Sequence, residues 1–507
     1  MSALMARERA AMRRFAQKLC FWGLLALVLS QGLAAQAEHV QVMLKNGQVF
    51  MGGGIVSENA SNLMVRIYGD VTQTIPKAAI NGYEIVKRVK AGTPIRARPQ
   101  PAPAAVLTLE AQAEREKRIN EFFALTGKRA ETLAAVRTAD AVRPEEIGEL
   151  KTLLFRKARE GRKLAEGDNT FEFEGQKGSV HIEVYRQTPA AGNSSNAAPL
   201  TVALLLHGGG QNNGNWRSGA DLFRGPLRKA CPDLLLVCPT VLVKRYAEWG
   251  KFPFEEAYVK EIMKAVKRTW TVDPNRVYCM GYSMGGYGTW HIGAHQADTF
   301  AGLVSGAGGI LLNPHLKECW GWGVLMNLAH TPIEFHHANG DEAAPIWSDQ
   351  ASNRILTELG RQHEGLYRHK YVEYATGGHG GATKGMGDAV TRTAALRRDP
   401  YPRRVFWEPS RPFVRQFYWL LADEPAFFTR LEASIEDNVI RLKTLDLASG
   451  FSLLLNEHLV DLAKPVKVIA NDVPVFEGKV IPSLSAMLES IEDKLDEAQW
   501  FSHRIDF

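Results

Sequence analysis

Cysteine is scarce, with five in 507 residues. That excludes the dense disulfide framework of small exported domains and leaves no cysteine-based metal module. Excess charge of one sign is also missing: 61 Lys and Arg stand against 55 Asp and Glu, a formal net charge of +6. The two signs are interspersed along most of the chain, so nothing argues for nucleic acid as a partner. The apolar run near the start, Leu19 to Leu29, is too short to span a bilayer comfortably. There is no internal repeat, which excludes a long propeller. His291 and His295 have the spacing of helical metal ligands, but no Glu follows His291 as a metalloprotease requires, so a structural role and no metal site are expected.

What is present begins with a leader. Arg13, Arg14 and Lys18 precede the apolar run, and Ala35-Gln36-Ala37 follows it. This is the order of a secretory signal peptide, here residues 1–37, and it predicts an exported protein, periplasmic or extracellular. An uncleaved membrane anchor is the alternative. Cleavage after Ala37 leaves Cys231, Cys238, Cys279 and Cys319. Of these, Cys238 and Cys279 lie in apolar strand-like runs and are expected as buried free thiols.

Composition then divides the mature chain. Residues 38–90 alternate apolar and polar residues in short pieces, with Asn46-Gly47 as a hairpin turn, and predict a small five-stranded module similar to SH3-like or Sm-like barrels. Residues 91–106 are a Pro/Ala-rich linker. Residues 107–168 carry helical spacing, as in Ile119, Phe122 and Phe123, and predict helices on, or bridging to, the next domain. Over residues 169–395 short apolar runs alternate with amphipathic segments, predicting an α/β domain with a mostly parallel sheet and helices on both faces. Residues 396–507 predict a C-terminal antiparallel β module, with Asn471-Asp472 joining two of its strands.

The α/β domain holds the chemistry. Gly281-Tyr282-Ser283-Met284-Gly285 lies between a strand-like run, Arg276 to Met280, and a helical run, Met284 to Gln296. A serine on such a turn is an exposed nucleophile, and the two glycines let strand and helix approach. A hydroxyl alone is a weak nucleophile, so it needs a base and the base needs an orienting acid. In the chain order Ser, Asp or Glu, His, the candidates are Asp341, past the end of an apolar strand, and His379, between glycines. Glu342 is the competing acid; His363 and His369 fit surface or structural positions better. Upstream, Leu204-Leu205-Leu206-His207-Gly208-Gly209-Gly210 is a strand running into a glycine-rich loop. Gly209 or Gly210, with Met284, is expected to supply the oxyanion-hole amides. No Gly-Lys-Ser/Thr follows, so a phosphate loop is disfavoured. Trp216, Tyr246, Trp249, Trp320 and Trp322 are candidate pocket-lining aromatics.

These residues resemble a known group. Val272-Asp273-Pro274-Asn275-Arg276-Val277-Tyr278, the Ser283 motif, and Gly340-Asp341-Glu342-Ala343-Ala344-Pro345 are similar to exported esterases of the dienelactone-hydrolase, polyhydroxybutyrate-depolymerase and feruloyl-esterase groups. The resemblance covers roughly residues 170 to 390, and Ala338 and Ala344 depart from its usual glycine and valine. It implies the α/β-hydrolase fold, hydrolysis of carboxylic esters through an acyl-serine intermediate, no cofactor, and a small-molecule or polymer-linked ester as substrate. A serine peptidase of the prolyl-oligopeptidase type would use the same triad. A third alternative is a non-catalytic surface-binding protein, in which the end modules contact polysaccharide or the cell surface.

Overall fold

The structure, a computed structural model, describes residues 38–44, 49–52, 55–68, 71–87, 96–102, 105–124, 141–187, 198–209, 215–242, 249, 253–310, 318–319, 324–409, 411–423, 431–444 and 450–507. The leader, Asn46-Gly47, residues 91–95 and 103–104 of the linker, Gly210, Tyr246, Trp320 and Trp322 lie outside these residues.

Eight strands build the central sheet: β1 (Gly167–Phe173), β2 (Gln176–Tyr185), β3 (Leu200–Leu206), β4 (Leu234–Pro239), β5 (Val272–Tyr282), β6 (Gly302–Gly306), β7 (Ile333–Ala338) and β8 (His369–Tyr374). Their spatial order is β1-β2-β4-β3-β5-β6-β7-β8. From β3 to β8 every neighbouring pair is parallel, while β1 and β2 join antiparallel at one edge. This is the α/β-hydrolase arrangement.

Five helices cover it: α1 (Asp221–Ala230), α2 (Pro253–Thr269), α3 (Met284–His295), α4 (Trp347–Gln362) and α5 (Met386–Ala394). All seven residues of β3 are buried, because a parallel sheet is covered on both faces. Side chains alternate across it accordingly. Ala203 and Leu205 meet Phe223 and Leu227 of α1 and Val390 of α5. Val202, Leu204 and Leu206 face the cluster that holds Ile262 of α2, Trp290 of α3 and Leu356 of α4. Each fully buried aliphatic side chain here contributes about 1.5–3 kcal/mol of transfer free energy.

Outside the sheet, the segments are more entangled than composition suggests. The N-terminal part has six strands where five were expected, because Ile80–Lys87 follows a short turn as a further strand. They form two sheets, and Glu318–Cys319 from the loop beyond β6 adds a strand to the first. The helices Leu109–Ala124 and Ile147–Ala158 do not pack on the central sheet. Their apolar faces, including Phe122, Leu150 and Leu154, bury against Met487, Leu488 and Ile491 of the helix Leu484–Lys494.

The C-terminal region forms a five-stranded and a four-stranded sheet. It is antiparallel except where Val439–Thr444 pairs parallel with Val466–Ala470. Asn471 and Asp472 both take positive φ, 47° and 66°, as a two-residue hairpin turn requires. This region shares its core with the catalytic domain, since Trp407, Trp419 and Leu453 belong to the same apolar cluster as Leu204 and Trp290. Ion pairs reinforce the junction: Lys260 to Asp493 at 2.7 Å, Lys267 to Asp496 at 3.6 Å, and the buried Lys494 to Asp298. Among the described residues no helix is long and apolar enough to cross a membrane.

Candidate active site

The turn between β5 and α3 holds Ser283 at φ 59°, ψ −122°. A non-glycine residue there is strained by about 1–3 kcal/mol, and close packing on both sides holds it in place. A Cβ on Gly281 would lie 2.1 Å from the Gly285 carbonyl oxygen, and one on Gly285 would lie 2.0 Å from that of Leu206. Only glycine fits at either position, so sheet and helix close tightly around the serine.

Two loops at the carboxyl ends of β7 and β8 complete the arrangement. His379 Nε2 lies 2.8 Å from Ser283 Oγ. Its Nδ1 faces both oxygens of Asp341, at 3.0 and 2.8 Å. The Asp341 carboxylate is fully covered, while the His379 ring is 37% exposed. The amides of Ala343 and Ala344 donate to Asp341 Oδ1 at 2.9 and 2.8 Å, fixing its orientation. Ser283, Asp341 and His379, 58 and 96 residues from first to second and third, are thus one hydrogen-bonded chain. Glu342, the competing acid, is exposed. Gly378 does let the histidine loop form, with φ +56° and the Gly340 oxygen 3.3 Å from where a Cβ would stand; Gly380 has open space at that position.

The glycine-rich loop after β3 lies against the nucleophile. A Cβ on Gly208 would stand 3.0 Å from the Tyr282 carbonyl oxygen and 3.7 Å from Ser283 Cβ. Gly209 follows directly, and Met284 is the first residue of α3, where amides point outward toward developing negative charge. Gly210 lies outside the described residues.

Several supporting residues escaped the sequence reading. His207 is fully buried and receives the Val241 amide on Nε2 at 3.2 Å, so its Nδ1 hydrogen goes to the Gly208 carbonyl at 2.9 Å. Burial holds it neutral, pulling its pKa down to about 4. Trp249, expected to line a pocket, is instead fully buried and donates to the His207 carbonyl at 3.0 Å. It supports the loop from behind. Trp216 is half-buried, with its ring stacked on His181 at 3.9 Å. His337, on β7, sits between Asp341 and Asp349, and Asp349 in turn accepts the Trp290 indole hydrogen at 3.0 Å. The signal for His337 is its place four residues before the acid on an apolar strand, but its partner Asp349 is visible only in three dimensions.

Cys231, Cys238 and Cys279 are buried free thiols, and burial pushes Cys279 up to about 12. One group among the described residues has metal-ligand types: Glu256 on α2 with His291 and His295 on α3, their donor atoms within 4.8 Å of one another. Arg411 already donates to Glu256 Oε1 at 3.0 and 2.8 Å. A divalent ion would add its charge beside that guanidinium with the carboxylate already neutralised, so these residues are assigned a structural role. Burial draws His291 down to about 3, a neutral imidazole at ordinary pH.

Comparison with known proteins gives one family match. Residues 244–318, which include Ser283, are similar to the prolyl oligopeptidase family. None of the curated proteins compared with the chain matches it. Solved structures similar to it include a thermostable esterase at 20% identity and TM-score 0.36, spanning 46% of this chain and 63% of that one. Others are a ferulic acid esterase at 16% identity, TM-score 0.36, covering 46% of this chain and 100% of its own, and an S-formylglutathione hydrolase from Agrobacterium tumefaciens at 15%, TM-score 0.34, covering 47% and 98%. The chain therefore spans less than two thirds of the esterase named first. The chain carries the α/β-hydrolase fold, and the segment bearing its serine turn is similar to the prolyl oligopeptidase family.

Proposed function

We propose that the chain is a serine hydrolase that cleaves carboxylic esters through an acyl-serine intermediate. The observation that carries this reading is the 2.8 Å contact between Ser283 Oγ and His379 Nε2, with Asp341 on the other ring nitrogen. His379 takes the hydroxyl proton as Ser283 Oγ bonds to the ester carbonyl carbon. The amides of Met284 and of Gly209 or Gly210 receive the oxyanion. Collapse of the tetrahedral intermediate breaks the ester bond, and His379 returns the proton to the leaving alcohol. Water then repeats the sequence and frees the acid. This chemistry calls for no cofactor. Export through the leader, an ester linked to an extracellular polymer as substrate, and contact of the end modules with polysaccharide or cell surface belong to the same proposal.

The test is to incubate the protein with a fluorophosphonate probe and a panel of short-chain nitrophenyl esters. Labelling at Ser283 with ester turnover supports the reading; neither would end it. The family match over residues 244–318 favours a second reading, a serine peptidase with the same triad. Peptide turnover exceeding ester turnover in the same panel would select it. A non-catalytic role is opposed by the assembled triad.

A further inference from the structure

His337 is enclosed, with no exposed side-chain surface, and so are the carboxylates on either side of it. Its Nδ1 lies 2.7 Å from Asp349 Oδ2. Its Nε2 lies 3.2 Å from Asp341 Oδ2 and 3.1 Å from the Ala344 carbonyl oxygen. Every atom facing the two ring nitrogens is a carboxylate or carbonyl oxygen. A neutral imidazole donates from one nitrogen only and would turn a lone pair on the other toward oxygen lone pairs; an imidazolium donates from both. The second oxygen of Asp349 accepts from the Trp290 indole at 3.0 Å.

We propose that His337 is a positioning residue of the triad, held as an imidazolium that joins Asp349 to Asp341 and thereby extends the chain Ser283, His379, Asp341 inward to Trp290. The proposal rests on the reading of Asp341 as the acid that orients His379. Its consequence is a charge balance. Asp341 and Asp349 carry two negative charges and His337 one positive, leaving one net negative charge beside His379. When His379 takes the serine proton, the group becomes neutral as a whole. That balance favours the protonated histidine of the reaction without binding a proton to it permanently at rest.

The surrounding elements present the other groups that bear on this ring: Glu373 and Tyr371 on β8, Asp349 on α4, and Asp341 and His379 from the two active-site loops. Although burial pulls His337 down, its hydrogen bond to Asp349 and the two nearby carboxylates outweigh this and raise it above the usual imidazole value.

The experiment measures the pH dependence of fluorophosphonate labelling at Ser283 in the full chain. His337→Asn removes the positive charge and leaves Asp341, which faces His379, and Asp349 behind it without a counter-charge between them. The acid limb should move to higher pH by roughly 1 unit, with labelling on that limb slowed by up to about 10-fold. The double variant His337→Asn with Asp349→Asn restores one net negative charge, and its acid limb should return to that of the parent. A purely structural loss would not be reversed by a second buried substitution. A folded His337→Asn protein with an unmoved acid limb overturns the proposal. If the variants do not fold, nitrogen-15 spectra of the parent protein decide: His337 should show two protonated ring nitrogens through neutral pH, and a neutral tautomer overturns it. Absence of Ser283 labelling in the parent protein would instead remove the underlying reading, while the nitrogen spectra still answer for His337.

Discussion

Arg411 lays its guanidinium against Glu256, Nη2 2.8 Å from Oε1, and both side chains are buried. The arginine comes from the C-terminal region and the glutamate from α2, so this pair crosses the boundary that composition drew at residue 396. Arg411→Met strands the Glu256 charge in the interior. Removing one partner of such a pair costs about 3–5 kcal/mol. The urea midpoint should fall accordingly, and Arg411→Met with Glu256→Gln should recover much of the loss. A double variant as unstable as the single one would contradict this.

Asp341 and Glu342 separate cleanly. Asp341→Asn keeps the shape but offers His379 the wrong partner, and ester turnover should drop by about 10³- to 10⁴-fold. Glu342→Gln alters an exposed residue and should leave kcat/KM within a factor of about two. Equal effects would mean the acid has been misassigned.

Gly285 and Gly380 make a second contrast. A methyl on Gly285 meets the Leu206 carbonyl oxygen at 2.0 Å, backbone against backbone, and neither can yield. Gly285→Ala should abolish labelling of Ser283 and lower Tm by several degrees. Gly380→Ala has open space and should do neither.

His207 links stability to pH. Its pKa in the folded protein is about 4, against an ordinary 6.5. Between these values the unfolded chain binds more protons, so stability is complete above pH 6.5 and is lost as pH falls toward 4. The share of this one residue is roughly 3 kcal/mol. His207→Asn should be less stable at pH 7 yet show a shallower decline in urea midpoint from pH 6.5 to 4. Parallel declines would remove His207 as a cause.

The serine turn was legible because its requirements are local: two glycines, a strand before and a helix after, all within Arg276 to Gln296. Asp341 and His379 were legible through chain order. The sheet could be read from short apolar runs, since a strand buried on both faces, like β3, must be apolar throughout. His337 and Asp349 were not, because nothing in either residue's neighbours announces a contact made across a strand and a helix. Nor could Lys494 and Asp298 be paired over 196 residues. The reading of Trp249 failed for a related reason: a loop aromatic faces inward or outward according to what lies beneath it, here the His207 carbonyl. The extra strand Ile80–Lys87 was missed because a short 3-10 turn, Lys77–Ala79, interrupts the alternation before it.

One apolar cluster runs from Leu63 through the central sheet to Phe507. During synthesis, β3 emerges some 300 residues before the strand His503–Asp506 that seals the far side of the same core. Such separation makes closure entropically slow. The sheet that carries the serine turn therefore waits, for part of its core, on side chains such as Ile505 that lie far along the chain from it.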